Sequence, residues 1–110
     1  MNADREDLIA RQIAMIIMNF VSFLETPDEN IINPDNAVEM MEYLGFQLDS
    51  IEKGFLRRLV DSFYSIAEDY TGEQREFVRS IPDYFYLEEA LAADDPVRLA
   101  ELEAIRDARD

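Results

Sequence analysis

The chain has 110 residues, of which 48% are hydrophobic and 11% aromatic, enough to build the core of a single domain spanning residues 1–110. It contains no Cys and no His, which excludes disulfides, thiolate metal sites and histidine-based acid–base catalysis. Its net charge of −15 comes from 25 acidic and 10 basic residues. This charge predicts a protein that repels nucleic acid and anionic membranes and attracts basic proteins.

The first predicted helix covers about residues 4–24, where apolar side chains recur at helical spacing almost all round the helix. Pro27 is expected to end it, because proline disfavours helix at the residue before it. The uncharged stretch over residues 13–24 is shorter than the roughly 20 residues that span a bilayer. We therefore interpret it as a core helix. The mainly acidic start of the chain does not resemble a secretory leader, and a cytoplasmic location is expected.

The second helix is predicted to begin with Asn33 as N-cap and Pro34 at its first position. Val38, Met41 and Leu44 are expected to face inward. Gly45 is the predicted end of this helix, since glycine is favoured just after the last helical turn.

The third helix is predicted to open with a capping box of Asp49 and Glu52 and to run to about residue 70. Gly54 lies inside it and weakens the helix by roughly 1 kcal/mol relative to alanine. Close packing against the first helix is the expected reason for this glycine. Arg57 and Asp61 are four residues apart, so an ion pair within the helix is expected.

Shorter helices are predicted for the rest of the chain. Thr71 and Gln74 form a second capping box that opens a short helix. Pro82 is expected to interrupt the chain and start a further helix. Asp95 and Pro96 form an N-cap followed by a proline at the first position, which predicts the last helix. No segment alternates polar and apolar residues long enough to indicate a strand. The predicted fold is an all-α bundle of five or six helices, with the first and third at its centre.

The acidic residues fall into two blocks that contain no basic residue. The first lies between residues 12 and 52 and contains Glu25, Asp28, Glu29, Asp35, Glu39, Glu42, Asp49 and Glu52. The second lies between residues 80 and 97 and contains Asp83, Glu88, Glu89, Asp94 and Asp95. Carboxylates without a cation of their own are expected to pair with the Lys and Arg side chains of a partner.

The second block also holds the Tyr-rich segment of residues 82–89. A helix turns about 100° per residue, so it cannot bury four consecutive large side chains. If Phe85 and either Leu87 or Tyr84 face inward, then Tyr86 and one other ring face water. Tyrosine is frequent at binding hot spots because it offers a large contact area at a low entropy cost. The alternative is that both rings lie flat on the core with only their hydroxyls exposed.

Few residues in this sequence are candidates for a catalytic role. Glu39 and Glu42 share a helix face, as do Glu73 and Glu76, and helical carboxylates can hold magnesium in nucleotide hydrolases. The acidic blocks, however, offer no basic residue to hold a phosphate. Asp28 and Glu39 have the spacing of the first and last ligands of an EF-hand loop. The sixth position of such a loop requires glycine, however, and here it is Asn33. The sequence predicts no enzyme activity, no metal site and no cofactor.

In size, acidity, helical character and acidic aromatic blocks, the chain resembles bacterial toxin-immunity proteins, including those of contact-dependent inhibition systems. The resemblance is to the type of protein and assigns no individual residue. It implies an inhibitor that binds a basic, nuclease-type toxin domain as a monomer or weak dimer. The alternatives are a DNA mimic or regulator that occupies a basic DNA-binding groove, and a chaperone for a secreted protein. The predicted partner-binding residues are Asp83, Tyr84, Tyr86, Glu88 and Glu89, with a second contact at Asp28, Glu29, Glu39 and Glu42.

Overall fold

The computed structural model describes residues 2–25, 28 and 30–109, with side chains from residue 5 onward, and all regular structure within them is helical. The helices of this part are α1 (Asn2–Leu24), α2 (Pro34–Asp49), α3 (Lys53–Ala67), α4 (Gly72–Tyr84), α5 (Leu87–Leu91) and α6 (Pro96–Arg109). The prediction of an all-α bundle of five or six helices is confirmed.

Helices α1 and α3 pack along each other at the centre of the bundle, as predicted. Alanines at positions 10 and 14 are fully buried in α1, and because their side chains end at Cβ the two helix backbones can approach closely. The largest fully buried side chains of α3 are Leu56, Leu59, Val60, Phe63 and Ile66. Each buried side chain of this size stabilises the fold by roughly 1.5–3 kcal/mol. Most of the buried core side chains therefore belong to α1 and α3.

The outer face of α1 stays in contact with solvent. By length and composition, Arg5–Leu24 is long and apolar enough to cross a membrane, a property that core helices and signal sequences share. Only 33% of its most apolar window is buried in the bundle. The interpretation as a core helix thus describes one side of α1 and leaves the other side unexplained.

The predicted boundary between α2 and α3 is wrong by several residues. Helix α2 continues through Gly45 to Asp49, and α3 begins at Lys53 with Glu52 as its N-cap. Gly45 serves tertiary packing instead of ending the helix. A Cβ atom at this position would lie 3.3 Å from Cδ1 of Phe85, so the missing side chain lets the Phe85 ring pack against α2.

Glu52 caps α3 with both carboxylate oxygens. Oε1 accepts a hydrogen bond from the Gly54 backbone N–H at 2.7 Å, and Oε2 accepts one from the Phe55 N–H at 2.8 Å. These two bonds hold the pKa of Glu52 below its ordinary value of 4.5. A Cβ at Gly54 would lie 3.0 Å from Glu52 Oε1. The expected reason for this glycine was therefore wrong, since it accommodates the Glu52 carboxylate and not α1.

Pro82 lies inside α4 and does not restart the chain as predicted. It is buried, and the helix continues for two residues to Tyr84. The break comes at Phe85 and Tyr86, where Tyr86 adopts the left-handed conformation with φ of 56°. A non-glycine residue in this region stores backbone strain, and such residues cluster at functional sites.

Helix α6 begins as predicted, with Pro96 at its first position and the Asp95 carboxylate accepting a hydrogen bond from the Arg98 N–H at 3.1 Å. No residue of α6, all of which are described, is buried. Its contact with the bundle consists of half-buried leucines and a set of arginine ion pairs. These arginines are the counter-charges of Asp83 and Glu89 in the second acidic block.

Candidate partner-binding surface

Four of the five carboxylates of the second acidic block, all except Asp95, form ion pairs with described residues. Arg106 Nη2 lies 2.7 Å from Glu89 Oε2 and 3.1 Å from Asp83 Oδ1. Arg109 Nη2 lies 2.9 Å from the same Asp83 oxygen. Helix α6 thus brings two arginines to a segment that has no basic residue of its own.

Glu88 pairs with arginines from two other helices. Arg57 Nη2 lies 2.6 Å from Glu88 Oε1 and 2.7 Å from Asp61 Oδ1, the latter being the predicted pair within α3. Arg98 Nη2 lies 3.9 Å from Glu88 Oε2. Burial alone would lower the pKa of Arg57, but the bonds with Glu88 and Asp61 outweigh it and raise that pKa, so Arg57 remains charged.

The premise that Asp83, Glu88 and Glu89 lack a counter-charge is therefore wrong. Their partners come from α3 and α6, which are distant in sequence, so counting bases inside the block could not reveal them. A partner that binds Glu88 or Glu89 through its own cations would have to displace arginines already in place. Their role in partner binding stays a prediction, and the geometry gives it less support than it gives the two tyrosines.

Tyr84 and Tyr86 are exposed, whereas the sequence had left open whether these rings face water or lie flat on the core. Phe85 and Leu87 are buried, whereas Tyr84 and Tyr86 are 55% and 54% exposed. Arg106 stacks over the Tyr86 ring, with its guanidinium carbon 3.8 Å from the ring centroid. The Tyr84 ring meets Phe85 edge to face at 5.1 Å. Each ring thus has a contact within the molecule, and about half of each residue remains exposed.

The solvent face of α2 combines unpaired carboxylates with exposed aromatic rings. Phe46 is 78% exposed and Tyr43 is also exposed. Glu39 and Glu42 precede Phe46 by seven and four residues, so all three lie on one side of the helix. Within the part of the chain that the structure describes, no acidic side chain of α2 takes part in an ion pair. The acids of this helix are Asp35, Glu39, Glu42 and Asp49.

A groove joins the face of α2 to the exposed tyrosines. It has a volume of about 820 Å³, and its lining includes Glu42, Phe46, Asp49, Tyr84 and Tyr86. The Gly45–Phe85 contact brings the two walls together. The structure thus unites Glu42, from the predicted second contact, with Asp83 and the two tyrosines of the first contact, and Arg106 lines the same groove. Phe46 and Asp49 were not among the predicted binding residues, because the second helix was predicted to end at Gly45, before both of them.

The remaining predicted residues lie elsewhere. Asp28 is exposed in the loop before α2, and its Oδ1 accepts a hydrogen bond from the Asn30 N–H at 2.9 Å. Glu29 lies outside the described residues. Glu88 and Glu89 line a different pocket of about 440 Å³, which also contains Arg79. Among the described side chains, no group of three or more acidic residues is arranged to hold a metal ion.

Comparison of the chain with protein families, with curated proteins and with solved structures finds no match in any of the three.

Proposed function

We propose that this chain binds a basic protein through the α2 face and the adjoining groove, and that it neutralises that protein as an inhibitor. One observation carries the proposal: no described residue forms an ion pair with an acid of α2, and Glu42 and Asp49 lie one turn on either side of the exposed ring of Phe46. An exposed phenylalanine is costly to keep in water, and unpaired carboxylates repel each other. A basic partner with an apolar pocket would relieve both costs at once.

The carboxylates and the rings have different roles in this proposal. The negative field of α2 accelerates encounter with a basic partner, an effect that weakens as salt screens it. Phe46, Tyr84 and Tyr86 supply apolar area that becomes buried after contact and slows dissociation. Because water leaves the interface around these rings, each surrounding ion pair becomes stronger than it would be in solvent.

The partner class that fits best is a nuclease-type toxin domain, whose basic cleft accommodates phosphates. In this proposal the chain is a cytoplasmic bacterial immunity protein without enzyme activity or a cofactor. The sequence resemblance to toxin-immunity proteins supports it, and so does the location of the acidic surface on one helix beside a groove. The carboxylates of α2 would occupy the partner's catalytic cleft and thereby keep nucleic acid from binding there.

A DNA mimic fits the α2 face less well. From Asp35 to Asp49 the row of acids covers roughly 20 Å at 1.5 Å per residue. Phe46 interrupts this row with an apolar ring at the place where a phosphate-like charge would continue it. Such an interruption favours a protein surface with a matching pocket over a uniform basic groove.

The test is capture of partners from the native cell with three forms of the protein. Glu39→Lys with Glu42→Lys reverses charge on α2. Glu73→Lys with Glu76→Lys makes the same change at the same spacing on α4, where neither carboxylate forms an ion pair with a described residue. We expect the parent and the α4 variant to retain the same basic protein and the α2 variant to lose it. Loss with both variants, or with the α4 variant alone, would refute the α2 assignment.

A further inference from the structure

The groove beside α2 is lined by aromatic residues, carboxylates and apolar side chains. The exposed aromatic residues are Phe46, Tyr84 and Tyr86, and the carboxylates are those of Glu42, Asp49 and Asp83. Met41 and Phe85, which are buried, give the groove an apolar base. Its volume of about 820 Å³ lies within the roughly 300–1,000 Å³ of ordinary ligand sites. The groove is therefore large enough to receive a long side chain of another molecule.

The groove carries more negative than positive charge. Among the described residues that line it, Arg106 is the only basic one. Its guanidinium is already paired with Glu89 at 2.7 Å and with Asp83 at 3.1 Å. Glu42 and Asp49 are exposed, and neither forms an ion pair with a described residue. These two carboxylates therefore favour a further cation over an anion or a neutral ligand.

Arg106 shows how this surface holds a guanidinium group. Its guanidinium carbon lies 3.8 Å from the centroid of the Tyr86 ring, and its Nε and Nη2 lie 3.0 and 2.7 Å from Glu89 Oε2. An aromatic ring thus contacts the guanidinium, while a carboxylate accepts hydrogen bonds from its N–H groups. The α2 wall of the groove offers the same two components to another molecule. They are the exposed ring of Phe46 and the carboxylates one turn away on either side of it.

We propose that the groove receives an arginine side chain of the basic partner. The guanidinium stacks on the ring of Phe46 or Tyr84 and donates hydrogen bonds to the carboxylate of Glu42 or Asp49. The aliphatic part of the side chain covers the apolar base, as the stems of long cationic side chains commonly do. That this arginine belongs to the partner rests on the function proposed above, whereas the preference of the groove for arginine is a property of this chain alone.

Arginine fits the groove better than other occupants do. The ammonium group of lysine is compact and strongly hydrated, and it has no flat face to lay on an aromatic ring. A neutral apolar ligand would cover the carboxylates of Glu42 and Asp49 without supplying a cation, which costs free energy. A second copy of this chain would bring a further charge of −15 to an acidic surface.

The test compares two fluorescently labelled probes of equal charge, hexa-arginine and hexa-lysine. Fluorescence anisotropy gives the dissociation constant of each probe with the parent protein in about 150 mM NaCl, which screens unspecific attraction. We expect the parent to bind hexa-arginine at least about fivefold more tightly than hexa-lysine. Equal affinities, or tighter binding of hexa-lysine, would mean that the surface recognises charge alone and would overturn the proposal.

Substitutions of single rings show where the preference arises. Phe46→Ala and Tyr84→Ala should each reduce the ratio of the two affinities at least about twofold. Phe23→Ala is the matched control, because Phe23 is an exposed phenylalanine of α1 that does not line the groove, and it should leave the ratio unchanged. Circular dichroism verifies that each variant keeps its helices. A ratio that survives both groove substitutions, or that falls equally with Phe23→Ala, would refute the assignment.

Conservative substitutions of the carboxylates provide a second measurement. Glu42→Gln with Asp49→Asn removes two charges from the groove, and Glu73→Gln with Glu76→Gln removes two charges from α4. We expect the groove variant to bind hexa-arginine at least about threefold more weakly than the α4 variant does. Equal weakening in the two variants would overturn the proposal.

The outcome is separable from that of the capture experiment. If charge reversal on α2 abolishes capture of the basic protein but the parent shows no preference for hexa-arginine, the proposed function stands and the arginine site is rejected. If the preference is present but charge reversal on α2 leaves capture intact, the proposed function fails while the arginine site remains.

Discussion

Arg106 is the residue whose removal should most affect how α6 is held to the bundle. Its Nε and Nη2 lie 3.0 and 2.7 Å from Glu89 Oε2, and Nη2 also donates to the Asp83 backbone oxygen at 3.1 Å. Arg106 and Glu89 are only 22% and 17% exposed, so solvent screens their attraction less than at the surface. Arg106→Ala leaves the Glu89 carboxylate half-buried and without this cation.

The expected cost is about 2 kcal/mol in the free energy of unfolding. Hydrogen bonds to charged groups contribute roughly 1.5–3 kcal/mol, and the stacking of Arg106 on Tyr86 adds about 0.5–1 kcal/mol. The lower part of the combined range applies, because one guanidinium makes all of these contacts and they are not additive. In a domain of this size the change corresponds to a fall in melting temperature of roughly 8 °C.

The assay is urea and thermal unfolding followed by circular dichroism. Arg79→Ala is the matched control, since Arg79 is an exposed arginine that forms no ion pair with any described residue. A double-mutant cycle with Glu89→Ala isolates the Arg106–Glu89 coupling. A cost below about 0.5 kcal/mol, or equal to that of Arg79→Ala, would refute the reasoning that these ion pairs hold α6.

Two further predictions concern pH and salt. The depressed pKa of Glu52 means that its stabilising effect is fully present above about pH 4.5 and is lost as the pH falls through the folded-state value. The melting temperature of Glu52→Gln should thus lie below that of the parent at pH 7 and approach it as the pH falls well below 4.5, whereas a difference that stays constant with pH would contradict the role of Glu52 as a cap. Salt screens the ion pairs of α6, so hydrogen–deuterium exchange in α6 should accelerate between about 20 and 500 mM NaCl while α3 stays protected. Unchanged exchange in α6 would mean that its half-buried leucines hold it without the arginines.

Some features that depend on neighbouring residues were predicted correctly, whereas the Asp49–Glu52 capping box and the reason for Gly54 were not. The Asn33 and Asp95 caps and the prolines that follow them are local, and they are confirmed. Gly45 was misinterpreted because its reason, the Phe85 ring, lies 40 residues further along the chain.

The candidate site was predicted only in part, for the same reason. The tyrosines and Glu42 were chosen from local composition, and they do line one groove. The neutralisation of Glu88 and Glu89 depends on Arg57 and Arg106, which only the packing of α3 and α6 brings near. Phe46 was missed because the second helix was predicted to end at Gly45, whereas α2 continues to Asp49 and carries the exposed Phe46 ring on its acidic face.

The central claim is that the α2 face binds a basic partner by charge steering. The most direct measurement is the association rate of the captured partner with the parent, with Glu39→Lys plus Glu42→Lys, and with Glu73→Lys plus Glu76→Lys, at several salt concentrations. We predict that the α2 variant associates at least about tenfold more slowly at low salt and loses most of its salt dependence, while the α4 variant stays within about twofold of the parent. Equal slowing by both variants would mean that only total charge matters, and slowing by the α4 variant alone would place the interface on another face; either result would contradict the claim.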